Sequence, residues 1–395
     1  QDIYGRVLAP SLPVFGEPSS ISKLNSIDAG EQINPGIASL PNNRFVMVYE
    51  DRSGADGSSS GIFGGIYDAQ NQLIHDCGVM NTTANSFQTF PNVAAAPDGS
   101  FMVVWSNFTN TFGQRFSSTC EKLGDETFLG ATFNGLDVSA DADGNFWVVR
   151  SKDGKAYARK YSNAGALLIN DVLLVEYVLP EKPVRVVSAV LATGELLVSW
   201  YNKDNADSSD IYGLYVNTDG TVTSEPFVIN ATTVNNQIKP MTAPLSGGGF
   251  VAVWASDDED GISEIVGRVF GSDGVAGDEF VVSAVNGGDQ STPYVISRVG
   301  GGFSVGWTDE SNPQHVYLAS YDMDSLLVGQ RRAVSVDETL TLTGNDEIEL
   351  TELTNGSLAS VWTATASGNQ DVFGITLSAL APAPDDSDGD GIPDN

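Results

Sequence analysis

One hairpin pattern recurs seven times along the chain and limits the folds that are open to it. Its clearest copy begins at Pro91, turns at Asp98-Gly99 and ends on Trp105. Two β-prone runs on either side of a tight turn are the strongest short-range signal for a β-hairpin. Equivalent apolar residues stand at Phe45, Phe101, Phe146, Leu196, Phe250, Phe303 and Leu358, with spacings of 56, 45, 50, 54, 53 and 55 residues. Such a period predicts a repeat architecture.

Each repeat continues beyond its hairpin into a third and a fourth β-strand. The third strand carries a small residue in its centre, as in Ile62-Phe63-Gly64, and clear fourth strands lie at 226–229 and 279–282. Four short strands per repeat, seven repeats and no helical periodicity predict an all-β fold, a seven-bladed β-propeller with four-stranded antiparallel blades. The aromatic residue that ends most of the second strands is expected to pack between adjacent blades.

The two ends of the chain predict how the ring closes. Residues 15–21 resemble a fourth strand, which the last repeat lacks, so an N-terminal strand is expected to complete the last blade. One third-type strand is then surplus, either 371–377 or Asp2-Ile3-Tyr4-Gly5-Arg6-Val7-Leu8. A surplus strand can add to an edge of its own molecule or be donated to a neighbour. The predicted division is 1–10 as surplus or donor strand, 11–380 as propeller and 381–395 as a Pro/Asp-rich tail.

The repeat motif also resembles a known family. Four repeats begin with Gln-x-x-Pro, and a Gly-containing turn, Phe-x-Val-x-Trp and Ile-Phe/Tyr-Gly-Gln-Arg-Phe follow; repeat two matches best, at Phe112-Gly113-Gln114-Arg115-Phe116. This pattern is similar to bacterial extracellular propeller repeats of adhesin-type surface proteins. The resemblance covers residues 1–380, and repeats three and seven, which lack the Gln-x-x-Pro lead, depart most from the pattern. It implies a propeller fold and an extracellular, cell-surface location, but no defined activity.

The acidic tail predicts a calcium site. Asp386, Asp388, Asp390 and Asp394, with Gly391, match the start of a calcium loop, because carboxylates at alternate positions wrap a hard cation. The tail also resembles the start of a thrombospondin type 3 repeat. The alternative is a flexible acidic tail. A weaker echo, with Asp258, Asp260 and Glu264 as candidate ligands, lies between strands two and three of repeat five.

Charge and cysteine content restrict the partners and the compartment. The net charge is −32, from 51 acidic and 19 basic residues, and it repels nucleic acid and anionic lipid surfaces. No apolar run approaches the roughly 20 residues that a membrane span needs, so no membrane insertion is expected. Cys77 and Cys120 could form a disulfide in a secreted protein. A processed, secreted chain is the simplest reading of the N-terminus.

The sequence shows no catalytic motif, and the expectation is therefore that the chain is not an enzyme. No motif gathers the arginines Arg44, Arg115, Arg150, Arg185, Arg268 and Arg298 into one site. The two histidines, His75 and His315, give little support to a catalytic triad. The first hypothesis is a secreted structural protein, stabilised by calcium, that assembles with copies of itself into a surface layer or head-to-tail filament. The strand at 2–8 and the acidic tail would make the contacts between copies. The alternatives are a carbohydrate-binding adhesin or lectin that holds surface glycans and, with less support, a glycosidase.

Overall fold

Seven antiparallel β-sheets stand around a central channel in the computed structural model of this protein. The structure describes residues 15–57, 59–83, 86–131, 135–177, 183–202, 208–283, 288–310, 314–335, 340–342, 348–366 and 368–379. No helix is found among these residues, and so none that is long and apolar enough to cross a membrane. The predicted seven-bladed propeller with four-stranded antiparallel blades is confirmed.

The strands follow one another in blade order, with the first strand of each blade innermost. Blades 1 to 3 consist of β3 (Gln32–Leu40), β4 (Arg44–Asp51), β5 (Gly61–Asp68), β6 (Leu73–Val79); β7 (Thr89–Ala95), β8 (Phe101–Ser106), β9 (Asn110–Phe116), β10 (Lys122–Ala131); and β11 (Leu136–Ala140), β12 (Phe146–Lys152), β13 (Lys155–Tyr161), β14 (Leu167–Glu176). Blades 4 to 6 consist of β15 (Pro183–Val190), β16 (Leu196–Asn202), β17 (Asp210–Val216), β18 (Phe227–Val228); β19 (Gln237–Pro244), β20 (Phe250–Asp257), β21 (Ser263–Phe270), β22 (Ala276–Val281); and β23 (Gln290–Ser297), β24 (Phe303–Asp309), β25 (His315–Tyr321), β26 (Leu327–Ala333). Blade 7 consists of β27 (Ile348–Glu352), β28 (Leu358–Ala366), β29 (Asn369–Ala379) and two short strands from the other end of the chain, β1 (Phe15–Pro18) and β2 (Ser22–Lys23).

An N-terminal segment closes the ring, as the sequence predicts. Both β1 and β2 pair with β29 and fill the place of a fourth strand in blade 7. The first strands also contact one another in cyclic order, including β27 with β3. The side chain of Asn25 secures this joint, because its amide nitrogen donates to Asp371 Oδ1 at 2.9 Å and its oxygen accepts from Val372 N at 2.8 Å.

The closure of the ring rules out one of the two candidates for the surplus strand. Residues 371–377 lie within β29 and form the third strand of blade 7, so they are not surplus. Residues 2–8 lie outside the described part of the chain, and their donation to an edge is therefore left without a structural account. The predicted boundaries at residues 10 and 380 also fall outside the described ranges and stay predictions.

The hydrophobic core lies between blades, where the closing aromatics pack. Trp307 of blade 6 belongs to a buried cluster that also contains Val253 and Ile265 of blade 5, and Trp254 of blade 5 packs with Leu197 and Ile211 of blade 4. Each blade therefore buries its apolar faces only against its neighbours. This arrangement is the one predicted for the aromatic residues.

The Gln-x-x-Pro lead supplies the hydrogen bond of the buried tryptophan. In blades 2, 5 and 6 the indole Nε1 of the tryptophan donates to the glutamine Oε1 of the same blade, at 2.9, 2.8 and 2.9 Å; the pairs are Trp105 with Gln88, Trp254 with Gln237 and Trp307 with Gln290. Blades 4 and 7 lack this glutamine, and the Nε1 atoms of Trp200 and Trp362 have no hydrogen-bond partner. The glutamine of the motif thus supplies an acceptor for the buried N–H of the tryptophan.

This contrast predicts different costs for one chemical change at two equivalent sites. Trp254→Phe removes a bonded N–H and leaves the acceptor of Gln237 buried, whereas Trp200→Phe removes a donor that has no partner. We expect Trp254→Phe to lower the free energy of unfolding by about 1 kcal/mol more than Trp200→Phe does. Urea denaturation of both variants measures the difference. Equal losses would mean that the glutamine contributes nothing to stability.

Candidate functional site

A pocket of about 510 Å³ opens in the centre of the ring, a size within the range of small-molecule sites. Its wall takes residues from the first strands of the blades and from the ends of two second strands. The lining residues are Asn34, Phe90, Pro91, Asn92, Ser106, Phe108, Gly135, Leu136, Asp137, Arg185, Val186, Val187, Tyr201, Lys239, Met241, Tyr294 and Glu349. The pocket therefore gathers side chains that lie far apart in the sequence.

One position per blade forms a ring around the pocket, which we call the channel ring. Each member is paired with a residue of the second strand, the one that comes just before the position at which most second strands carry their final aromatic residue. The seven members are therefore equivalent in strand register. They are Gly36, Asn92, Asp137, Val187, Met241, Tyr294 and Glu349. Two of the seven are carboxylates, and they belong to blades 3 and 7. These blades lie on nearly opposite sides of the ring, because two blades separate them on one side and three on the other.

A β-bulge turns a second set of side chains toward the pocket. In five blades the strand register shifts just before the channel ring, and one residue there has a positive φ. These residues are Asn34 (51°), Phe90 (53°), Arg185 (49°), Lys239 (55°) and Thr292 (46°). Bulges re-aim side chains and are frequent next to functional sites. The first four of these side chains line the pocket.

Asp137 is a buried carboxylate that bridges three blades. Its Oδ2 accepts hydrogen bonds from the backbone N and the Oγ of Ser188, at 2.7 and 2.8 Å, and its Oδ1 accepts one from Asn92 Nδ2 at 2.7 Å. Burial raises the pKa of Asp137 to about 6, although the hydrogen bonds from Ser188 and Asn92 act in the opposite direction. The carboxyl group is therefore partly protonated near neutral pH.

Glu349 repeats the interaction of Asp137 on the other side of the pocket. Its Oε2 accepts a hydrogen bond from the backbone N of Ile37 at 2.8 Å, and Ile37 occupies the same place in blade 1 as Ser188 does in blade 4. Its side chain is also buried. Each carboxylate thus joins its own blade to the next one while it lines the pocket.

Two cations and a tyrosine lie on the wall between these carboxylates. Arg185 and Lys239 come from the bulges of blades 4 and 5, and Lys239 Nζ donates to Ser291 Oγ at 2.5 Å. Burial raises the pKa of Tyr201, although the nearby positive charge of Arg185 acts in the opposite direction. Only 19 residues of the whole chain are basic, so two of them in one pocket make it far less acidic than the protein as a whole.

Of the site residues predicted from the sequence, the cysteines are brought together. Cys77, on β6 of blade 1, and Cys120, in the turn between β9 and β10 of blade 2, form a disulfide with a Cα–Cα distance of 5.1 Å. It joins the outer parts of two adjacent blades, and neither cysteine lines the pocket.

The candidate calcium ligands lie away from the pocket or outside the described residues. Asp258 Oδ1 accepts hydrogen bonds from the backbone N of Asp260 and of Ile262, both at 2.9 Å, and so organises its own turn, while Glu264 lies on the neighbouring strand β21. Within the described ranges no group of three or more His, Cys, Asp or Glu side chains is placed to hold one metal ion. Asp386, Asp388, Asp390 and Asp394 fall outside those ranges, and calcium binding stays a prediction.

The pocket carboxylates were missed because a search along the sequence does not compare equivalent positions. Asp137 and Glu349 each interrupt an apolar first strand, as Leu136-Asp137-Val138 and Ile348-Glu349-Leu350. Burying an acidic side chain at this position costs free energy, so an acid there is a candidate functional residue. Aligning the seven first strands on the turn that follows them would have marked both residues.

Comparison with protein-family models and with curated protein sequences finds no match. Among solved structures, the chain is similar to a protein of unknown function from Dyadobacter fermentans, with 9% identity, a TM-score of 0.56 and coverage of 92% of this chain and 99% of that one. It is similar to the GH93 α-L-arabinofuranosidase of Fusarium graminearum in complex with arabinobiose (10%, 0.54, 92% and 98%). It is also similar to the α-L-arabinanase of Penicillium chrysogenum in complex with arabinobiose (11%, 0.50, 93% and 99%). At identities this low, the structural similarity shows a common fold and nothing beyond it.

These similarities correct two expectations from the sequence. A self-assembling structural protein and the absence of enzymatic activity were expected, yet several of the similar propellers are glycosidases. The expectation that the chain is not an enzyme rested on the absence of a local catalytic motif. In a propeller the groups of one site come from different blades, so they leave no local motif.

The raised pKa of Asp137 predicts how stability depends on pH. A carboxyl whose folded-state pKa exceeds its unfolded value stabilises the fold at low pH, and this contribution is lost as pH rises through about 6. Relative to Asp137→Asn, the wild type should lose on the order of 2 kcal/mol of unfolding free energy between about pH 4 and about pH 7.5. Urea denaturation of both proteins at each pH measures this. A constant difference would contradict the assignment.

Proposed function

We propose that this protein is a glycoside hydrolase whose active site is the central pocket. The observation that carries the proposal is the pair of buried carboxylates, Asp137 and Glu349, which line one pocket from nearly opposite blades. Hydrolysis of a glycosidic bond needs two carboxyl groups that flank the bond, one protonated and one ionised. Asp137 and Glu349, at the equivalent position of two blades, supply these two groups in the proposal.

Asp137 is the general acid in this proposal. A carboxyl group that donates a proton near neutral pH needs a raised pKa, and burial raises that of Asp137 to about 6. Its hydrogen bonds to Ser188 and Asn92 fix the orientation of the carboxyl group without a bulky partner in the pocket. The proton passes from Asp137 to the oxygen of the leaving sugar.

Glu349 is the second carboxylate. One of its oxygens accepts a hydrogen bond of 2.8 Å from the backbone N of Ile37, which fixes the orientation of the carboxyl group. In this role Glu349 takes a proton from the water that attacks the anomeric carbon, while the glycosidic C–O bond breaks and the leaving oxygen takes the proton of Asp137. Both acids are held by main-chain contacts of the neighbouring blade, so their separation is set by the ring itself.

Polar side chains on the remaining wall suit a sugar. Asn34 and Asn92 bring amides to the pocket, and Arg185, Lys239 and Tyr294 line it as well. Asn34 is oriented by a hydrogen bond of 2.9 Å from its Nδ2 to Glu50 Oε2. Sites for small polar ligands combine a few fixed polar groups with apolar walls in this way. The arabinofuranosidase and arabinanase of similar fold make arabinan and its oligosaccharides the first substrates to assay.

Removal of either carboxylate should abolish most of the hydrolysis. We expect Asp137→Asn and Glu349→Gln each to lower kcat/KM by about 10²- to 10⁴-fold, the usual contribution of a general acid or base. Release of reducing sugars from arabinan, arabinobiose, xylan and β-glucan measures activity. Glu259→Gln, an exposed acid in a turn of blade 5, is the control and should retain full activity.

The pH profile separates the chemistry from damage to the fold. Wild-type kcat/KM should fall as pH rises through about 6, since the protonated form of Asp137 is lost, and the residual activity of Asp137→Asn should lack this decline. Ser188→Ala removes one hydrogen bond to Asp137 but keeps the carboxyl group, so it should retain a falling limb. A wild type that cleaves no glycan, or an Asp137→Asn variant with normal rates, would contradict the proposal.

The proposal includes secretion and calcium binding by the tail. A disulfide between Cys77 and Cys120 favours an oxidising compartment outside the cytosol, and the repeat motif resembles that of bacterial extracellular propellers. The calcium ligands proposed in the tail are Asp386, Asp388, Asp390 and Asp394.

Calcium binding can be tested on the whole protein. Isothermal titration with CaCl₂ should detect a site that disappears when 381–395 is removed, because the carboxylates of that segment supply the oxygens that calcium prefers. Asp258→Asn with Asp260→Asn is the matched control for the turn in blade 5 and should leave the heat of binding unchanged. Equal heats before and after removal of the tail would refute the tail as the site.

A further inference from the structure

We propose that Phe90 and Phe108, with Phe87 beside them, form a ledge that stacks against a sugar ring next to the bond to be cleaved. The inference rests on the proposed function and deepens it, since it assigns a substrate that extends beyond a single sugar unit. We call these three residues the aromatic ledge. All three belong to blade 2, next to the channel-ring residue Asn92 that binds Asp137.

The aromatic ledge lies at the mouth of the pocket and is open to solvent. Phe90 and Phe108 line the pocket, and the rings of Phe87 and Phe108 meet edge to face with centroids 5.9 Å apart. The three side chains are 48%, 53% and 53% exposed for Phe87, Phe90 and Phe108. Three half-exposed aromatic residues beside a polar pocket form an apolar surface that marks a binding site.

Stability does not explain these phenylalanines. Phe90 has φ of 53° and Phe108 has φ of 70°, in the left-handed region where a bulky side chain is disfavoured and asparagine or glycine is preferred. Blade 1 has Asn34 at the place of Phe90, with φ of 51°. A half-exposed ring returns only part of its burial energy. Both backbone positions therefore favour another residue, and contact with a ligand is what these side chains can supply.

The chemistry of the aromatic ledge fits a sugar. One face of a sugar ring presents C–H groups, while its edge presents hydroxyls, and an aromatic ring offers a flat apolar surface with a negative face. A sugar stacked on Phe90 and Phe108 would have the amides of Asn34 and Asn92 beside its hydroxyl groups. The aromatic ledge is uncharged in a protein of net charge −32, so it tolerates neutral chains as well as acidic ones.

Phenylalanine-to-asparagine variants test the aromatic ledge against a merely structural role. We expect Phe90→Asn and Phe108→Asn to weaken glycan binding about 10-fold, a loss of the size found when one aromatic side chain that stacks on a nucleic-acid base is removed. Their melting temperatures should stay the same or rise, because asparagine suits a positive φ. Affinity electrophoresis of the full chain in gels with arabinan, xylan, β-glucan or polygalacturonate measures binding. Phe128→Asn is the matched control, since Phe128 is in blade 2 and is 56% exposed but does not line the pocket.

The same gels separate failure of the aromatic ledge from failure of the proposed catalysis. Asp137→Asn should bind glycan as the wild type does and fail to cleave it. Unchanged binding and KM in Phe90→Asn and Phe108→Asn, with cleavage intact, would overturn the aromatic ledge alone. Retardation that depends on these residues without any hydrolysis would support the aromatic ledge and sink the catalytic assignment. If none of the four polysaccharides retards the wild type, the aromatic ledge is refuted.

Discussion

The structure depends on the burial of apolar side chains between blades rather than within them. A four-stranded blade has two faces, and each face needs a neighbour to cover it, so a row of blades is stable only when its ends meet. This requirement explains why the N-terminal strands β1 and β2 complete blade 7. It also explains the Gln-x-x-Pro motif, whose glutamine accepts the bond from a tryptophan Nε1 that packing has taken out of water. The channel follows from the same geometry, because seven first strands leave space along the axis of the ring.

The contacts that hold neighbouring blades together also set the chemistry of the pocket. Asp137 and Glu349 each accept a backbone N–H from the next blade. These bonds fix both carboxyl groups, and the packing that forms them removes water from around Asp137 and so raises its pKa. The same residues thus join neighbouring blades and line the pocket. A substitution at Ser188, which also donates through its Oγ, would alter the surroundings of the Asp137 carboxyl group as well as the joint between blades.

The fold could be predicted from the sequence, and the pocket could not, for one physical reason. Burial between blades imposes the same demands on every repeat, so Phe101, Trp105 and their counterparts recur at a regular spacing that shows in a single sequence. The channel-ring position faces the open axis of the ring, so packing does not require the same type of residue there in every blade. It is glycine in blade 1, methionine in blade 5 and an acid in blade 7. A functional residue there is visible only once the blades are superimposed, and the left-handed backbone of Phe90 requires coordinates.

The joint in blade 7 brings together two segments from opposite ends of the described chain. Phe15 pairs with Ala379 at the outer edge of that blade, remote in the blade from the first strand that carries Glu349. Chains whose ends adjoin in this way can be circularly permuted. A variant without residues 1–14 and 380–395, with a linker from residue 379 back to residue 15 and new ends at the turn after β7, would have its seam in blade 2 and not in blade 7. The pocket would keep every residue of its wall while the order of synthesis changed, so the ring has no intrinsic starting blade.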